Sequence, residues 1–152
     1  MKKINKIVIR HEPDNDADLS YLGTFDKDAA DEFAIEHEPG NDRIYNWFNP
    51  QKGMGETPKE QRKYAKQAYK RIMAYEQGEW SMLGIKAYAE IVTGPNAKKG
   101  YGLITKISSG GLWGNESDMD EASFKGIEEE QKAELFDLLK EFGFKDAEIK
   151  AA

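Results

Sequence analysis

From Trp80 to Thr93 the chain alternates: Leu83, Ile85, Ala87, Ala89 and Ile91 fall on one side, and Lys86, Tyr88 and Glu90 on the other. A period of two belongs to a half-buried strand, with one face on a core and one in water. Ala87 and Ala89 leave room for a helix to approach the inner face closely. Residues 94 to 100 carry Gly, Pro and Asn breakers, and Tyr101 to Ser108 reads as a strand again, so a hairpin is the economical arrangement. Ile4 to Arg10 is rich in β-branched residues and is followed by Pro13, which halts ladder bonding; it supplies a third strand.

Two long helices are predicted. Thr57-Pro58-Lys59-Glu60 combines a threonine N-cap, proline at the first helical position and glutamate at the third. That helix runs to about Gln77, with Gly78 as its stop. The second runs from Met119 or Asp120 to Phe142, with Phe124, Ile127, Leu135, Leu138, Leu139 and Phe142 in one stripe and Gly143 ending it. Phe144 is expected to fold back, and residues 145 to 152 to add a short extended piece or fray. The fold class is therefore α+β: one domain over residues 1 to 152, a small antiparallel β-sheet of three or more strands with two long helices packed on one face. The sheet's other face carries Val8, Tyr88 and Ile104 and needs a cover, either the acidic segment described below or a partner.

The joint Ser108-Ser109-Gly110-Gly111-Leu112-Trp113-Gly114-Asn115-Glu116-Ser117-Asp118 is expected to link the last strand to the second helix, with Trp113 anchoring the corner and the acids capping the helix. Glycines before a helix also suit phosphate. Here, however, Glu116, Asp118, Asp120 and Glu121 would meet it with like charge, and no P-loop Lys follows.

Composition narrows the chemistry. There are no cysteines, which removes disulfides, thiolate metal sites and thiol catalysis. No apolar run approaches the ~20 residues of a membrane helix, and the N-terminal run is too short for a secretory signal. A cytoplasmic protein with no membrane partner is the expectation. The formal net charge of -6 argues against general affinity for nucleic acid.

Charge is unevenly spread. Residues 11 to 43 form an acidic, irregular segment with eleven Asp and Glu against Lys27 and Arg43. Lys59, Arg62, Lys63, Lys66 and Lys70 line one side of the first helix, a composition that can bind nucleic acid but is more often a solvated face. Opposite patches on one chain also suit association into a homodimer.

The only two histidines sit in a repeat, His11-Glu12-Pro13-Asp14-Asn15-Asp16 and His37-Glu38-Pro39-Gly40-Asn41-Asp42. Two proline turns of similar composition explain it. If the copies met, His11 and His37 with flanking carboxylates could hold a divalent metal for a hydrolase or nuclease. Asp14 to Asp18 starts like a calcium loop but has Leu19 where glycine is required. No cofactor motif and no catalytic constellation is present, so a non-enzyme is expected. The candidate protein-contact residues are the aromatics Trp47, Phe48 and Trp113, with Glu116, Asp118, Glu129, Glu130 and Glu134.

Tyr69 to Ile91, Ile107 to Asp118 with its Gly-Gly-Leu-Trp-Gly corner, and Asp18-Leu19-Ser20-Tyr21-Leu22 together resemble a family of small uncharacterised proteins encoded by bacteriophages, prophages and plasmids. The histidine-bearing linker and residues 94 to 100 fall outside the resemblance. That family has no established activity, so no catalytic residue carries over. The resemblance implies a mobile-element accessory protein in the bacterial cytoplasm, and the expected partner is a host protein, such as a component of an anti-phage defence system.

Overall fold

The computed structural model describes residues 1–37 and 46–152. Residues 38 to 42 of the second histidine motif lie outside the described residues, as do Ile44 and Tyr45, which with Asn46 to Pro50 read from sequence as a short aromatic strand. The chain packs as two compact units, Met1–Asn15 with Ser81–Ala152, and Asp16–Trp80.

The first unit is built on a four-stranded antiparallel sheet. Strand β1 (Lys2–Pro13) pairs along its length with β5 (Met82–Thr93). A bulge at Asn5 shifts the register between Ile4 and Lys6, and the Asn5 side-chain amide donates to Glu90 Oε1 at 2.6 Å. On the other side of β5 lie two shorter strands, β6 (Leu103–Ser108) against its C-terminal half and β7 (Leu112–Glu116) against its N-terminal end. Helix α2 (Glu121–Glu141) and the short α3 (Asp146–Lys150) cover one face. Leu135 and Leu139 of α2, with Phe144 and Ile149, pack on Ile4, Ala87, Ala89 and Ile91. The two alanines are fully buried, so the close helix approach expected from their size is what the structure has.

The second unit, in chain order, has β2 (Gly23–Asp26), β3 (Ile35–Glu36), β4 (Trp47–Pro50) and α1 (Pro58–Glu76). Its three-stranded sheet runs β2-β4-β3, and Ala68 and Ile72 of α1 pack on Phe48. Thr57 Oγ1 accepts the Glu60 amide as expected of an N-cap. The reciprocal bond is displaced by one residue: Glu60 Oε2 accepts from the Glu56 amide at 3.0 Å.

The α+β class, the antiparallel sheet and both long helices are as the sequence predicts. Four details differ. Each helix covers its own sheet, because Phe48 in β4 gives α1 a separate core. β1 extends through Pro13, so the first histidine motif begins as the end of a strand and turns only at Asn15 and Asp16. The glycine corner joins two strands instead of a strand and a helix; the α2 N-cap is Asp120, whose carboxylate accepts the Ser123 amide at 2.7 Å. The tail does not fray, since Ile149 is buried in the core. Among the described residues no helix is long and apolar enough to cross a membrane.

Leu135 is fully enclosed between α2 and the sheet. Leu135→Ala should lower the stability of the first unit by about 2–5 kcal/mol, read from its denaturant midpoint at unchanged slope.

Candidate functional site

The corner at residues 109 to 111 is where β6 gives way to β7 along the same edge of β5. Such a jog strands backbone groups that a continuous strand would pair, and α2 supplies the partners. Ser109 is buried; its amide donates to Ala87 O, its Oγ accepts from the Ala87 amide at 3.0 Å and donates to Gln131 Oε1 at 2.6 Å. The same Gln131 oxygen accepts from the Gly111 amide, and Glu134 Oε1 accepts from Gly110 at 2.9 Å. Gly111 adopts φ +85°, and a Cβ there would meet Lys86 Cγ at 2.7 Å. Glu134, expected as a partner contact, is thus a clamp for this corner.

Beyond the jog, Ile85 pairs with Leu112 and Leu83 with Asn115, so Trp113 and Gly114 together face the single residue Gly84. This is a bulge, and it aims Trp113 across the sheet. The benzo ring fills the space over Gly84, where an added Cβ would lie 2.2 Å from Cε3. Asn115 ties the bulge down by donating to Leu83 O and Leu112 O. The Gly114 amide donates to Asp14 Oδ2.

Trp113 lands on the sheet face opposite α2, and that face has a distinct composition. Cross-strand rows run Lys6–Glu90–Lys106, then Val8–Tyr88–Ser108, then Arg10–Lys86, then Glu12–Gly84 under the Trp113 ring. A shallow cleft of about 60 Å³ opens among Lys6, Val8, Arg10, Tyr88, Glu90 and Lys106. The Arg10 guanidinium sits 5.8 Å from the Tyr88 ring centre and Lys86 Nζ 5.1 Å from that of Trp113. The Tyr88 hydroxyl donates to Glu12, which holds its ionisation above the usual tyrosine range, with partial burial and the Glu12 charge adding to the effect and Arg10 opposing it. Trp113 is 44% exposed and Ile104 56%. Helices α2 and α3 pack on the other side, and on this one Arg10 and Lys106 are exposed as well.

The remaining candidates are dispersed. Phe48 is completely buried and is a core residue, not a contact; Trp47 beside it is half-buried. Glu116 is half-buried in β7, while Asp118, Glu129 and Glu130 are exposed. His11 lies in the first unit, where Nε2 pairs with Glu128 at 2.7 Å and the ring stacks on Phe124. His37 lies buried in the second, its Nδ1 bonded to Tyr69 Oη at 2.8 Å. Each histidine is engaged inside its own unit, and among the described residues no three His, Asp or Glu side chains gather to hold a metal. Lys59, Arg62, Lys63, Lys66 and Lys70 are exposed on α1, with Arg62 3.9 Å from Glu32 and near the Phe33 ring. The contact between Arg62 and Glu32 is the acidic segment meeting the basic helix within one unit.

Lys6, Arg10, Lys86 and Lys106 were not among the residues singled out from sequence. The signal was present in the alternation of β1 and β5, but only register brings these cations onto one surface.

Gly84→Ala should expel the Trp113 ring from the sheet, seen as a red-shifted, more quenchable tryptophan emission. Glu12→Gln should bring Tyr88 ionisation back down, followed by tyrosinate absorbance. Because the folded-state value is raised, this tyrosine's contribution to stability is present below the ordinary tyrosine range and lost as pH climbs through the folded value; the substitution should remove that alkaline loss. No family model, no curated protein and no solved structure matches the chain.

Proposed function

We propose that this is a non-catalytic binding protein, an accessory factor of a phage or plasmid that acts in the bacterial cytoplasm by occupying a host protein, with anti-phage defence components as the target class. The observation that carries the reading is the solvent side of α2. Its inner side is committed to the core through Leu135 and Leu139 and to the corner through Gln131 and Glu134. Its outer side presents Glu129, Glu130, Asp137 and Glu141, all exposed; Glu129 lies 3.7 Å from Lys132 of the same helix. Such a row on a rigid element matches the basic surfaces of proteins that handle nucleic acid, and complementary potential speeds encounter and fixes orientation. The sequence resemblance to mobile-element proteins supports the setting.

The binding reading is preferred to a metal hydrolase because His11 is held by Glu128 and His37 Nδ1 by Tyr69, each within its own unit.

The test is capture of a bacterial protein by the tagged full chain. A stoichiometric partner should be retained and then lost when Glu129, Glu130 and Asp137 are changed together to Lys, with the far-ultraviolet circular dichroism unchanged. Retention equal to the unmodified protein would remove α2 from the contact, and absence of any stoichiometric partner would overturn the reading.

A further inference from the structure

The sheet face opposite α2 breaks a rule of strand pairing. Arg10 and Lys86 stand directly across from each other in the β1–β5 register, and like charges in that position are destabilising. Among the described residues neither has an ion pair. Each instead lies by an aromatic ring, Arg10 by Tyr88 and Lys86 by Trp113. Lys106 completes the set two rows away, across Glu90 from Lys6. Four cations against Glu12 and Glu90 make this surface positive on a chain whose net charge is -6. A local arrangement that breaks a pairing rule with no ion pair among the described residues to offset it is what binding sites show.

We infer that this face binds single-stranded nucleic acid, with phosphates drawn to the Arg10–Lys86 pair and Lys106 and bases stacking on Trp113 and Tyr88. Charge complementarity selects an anion, and the aromatic rings select among anions. Trp113 stands over Gly84, and Tyr88 is four residues further along β5, about 13 Å at the usual rise of a strand. Two rings at that separation, with cations between them, suit bases about two nucleotides apart on one extended strand; a peptide of Asp and Glu has no rings to stack on them. A duplex groove is read by an inserted helix or ribbon, whereas this surface is a broad sheet face, the geometry on which single strands are splayed. The Trp113 ring is held in place by the Gly84 gap and the Asn115 ties, so little ordering accompanies binding.

The proposal concerns the face opposite the acidic side of α2 and does not depend on the host-protein reading. The full chain is titrated into fluorescently labelled oligothymidylate and oligouridylate at low salt, with anisotropy and tryptophan quenching as readouts. Binding should weaken with salt along a log–log slope of about −2, as for three phosphate contacts. Trp113→Ala should weaken it about 5- to 100-fold, and Trp113→Phe much less. Arg10→Glu with Lys86→Glu should abolish it, and Arg10→Gln with Lys86→Gln, which keeps the side-chain bulk, should reproduce most of the loss. The Lys variants of Glu129, Glu130 and Asp137 should retain binding at least equal to that of the unmodified protein, which separates this result from the partner capture. Absence of binding to both oligonucleotides at low salt would overturn the assignment. So would binding that survives the sheet-face changes but is lost when Lys59, Lys63 and Lys66 become Glu, or equal competition by polyglutamate, which would make the occupant an acidic polypeptide.

Discussion

Strand β5 is paired on both sides, and that single constraint sets most of the first unit. With β1 along one edge and β6 and β7 along the other, its side chains have only two directions to take. The inward set includes Ala87 and Ala89, both without exposed surface, and their small size brings α2 close. That closeness is also what lets Gln131 and Glu134 reach the jog between β6 and β7. Ser109 and Gln131 are buried and polar, and each is tolerated because the jog's amides and hydroxyl complete the other's hydrogen bonds. The core spacing and the corner are therefore one arrangement. Widening the gap at Ala87 would release the corner, and with it the bulge that aims Trp113.

How much of this could be read beforehand follows from how local each determinant is. The start of α1 was legible because Thr57, Pro58 and Glu60 act within one turn. The alternation of β5 was legible because period two is written in adjacent residues. The glycine corner was misplaced: its glycines and Trp113 read equally well before a helix, and only the pairing of Leu112 and Asn115 with β5 makes the stretch a strand. Phe48 reads from sequence as a contact residue because its burial depends on α1, which follows in the chain, and on Leu19, Leu22 and Phe25, which precede it. The repeated histidine motif looked like one site, yet His11 sits in a long strand and His37 in a small aromatic core with Phe25 and Tyr69. Neither environment is encoded in the six residues of the repeat. The cationic sheet face was the hardest to see, since Arg10 and Lys86 are far apart in sequence and meet only through register.

Net charge concealed the rest. Several carboxylates of the acidic segment are engaged in its own turns. Asp18 accepts the Ser20 amide, which holds its ionisation below the usual range, and Asp31 accepts the Phe33 amide. Asp26 is held low chiefly by the Asn49 side-chain amide and then by Thr24. Asn49 is nearly buried and also donates to Asp28 O and accepts from the Ala30 amide, so it organises the turn after β2. Asp120 is lowered by the Ser123 amide in the same way. For each of these the folded value is depressed, so the contribution to stability is present above the ordinary carboxylate range and disappears as pH falls through the folded value. These acids are structural, and they say little about what approaches the molecule.

The first unit, which holds few of these locally used acids, has two opposed surfaces. The outer side of α2 is negative, and the far face of the sheet is positive and aromatic. A dry layer of Ile, Leu and Ala separates them, so neither can neutralise the other inside the unit. Around the outside of that layer the path runs through salt solution, where screening acts over ~8 Å, so each surface presents its own sign to solution. The adjacency of Arg10 and Lys86 then carries weight that a lone lysine would not. Exposed like charges can be relieved by turning away, but these two are kept in register by a strand pair with eleven matched positions and are each drawn toward a ring. A fold built this way keeps the cationic pair in place whether or not anything is bound, and an anion arriving there gains attraction without having to order the site.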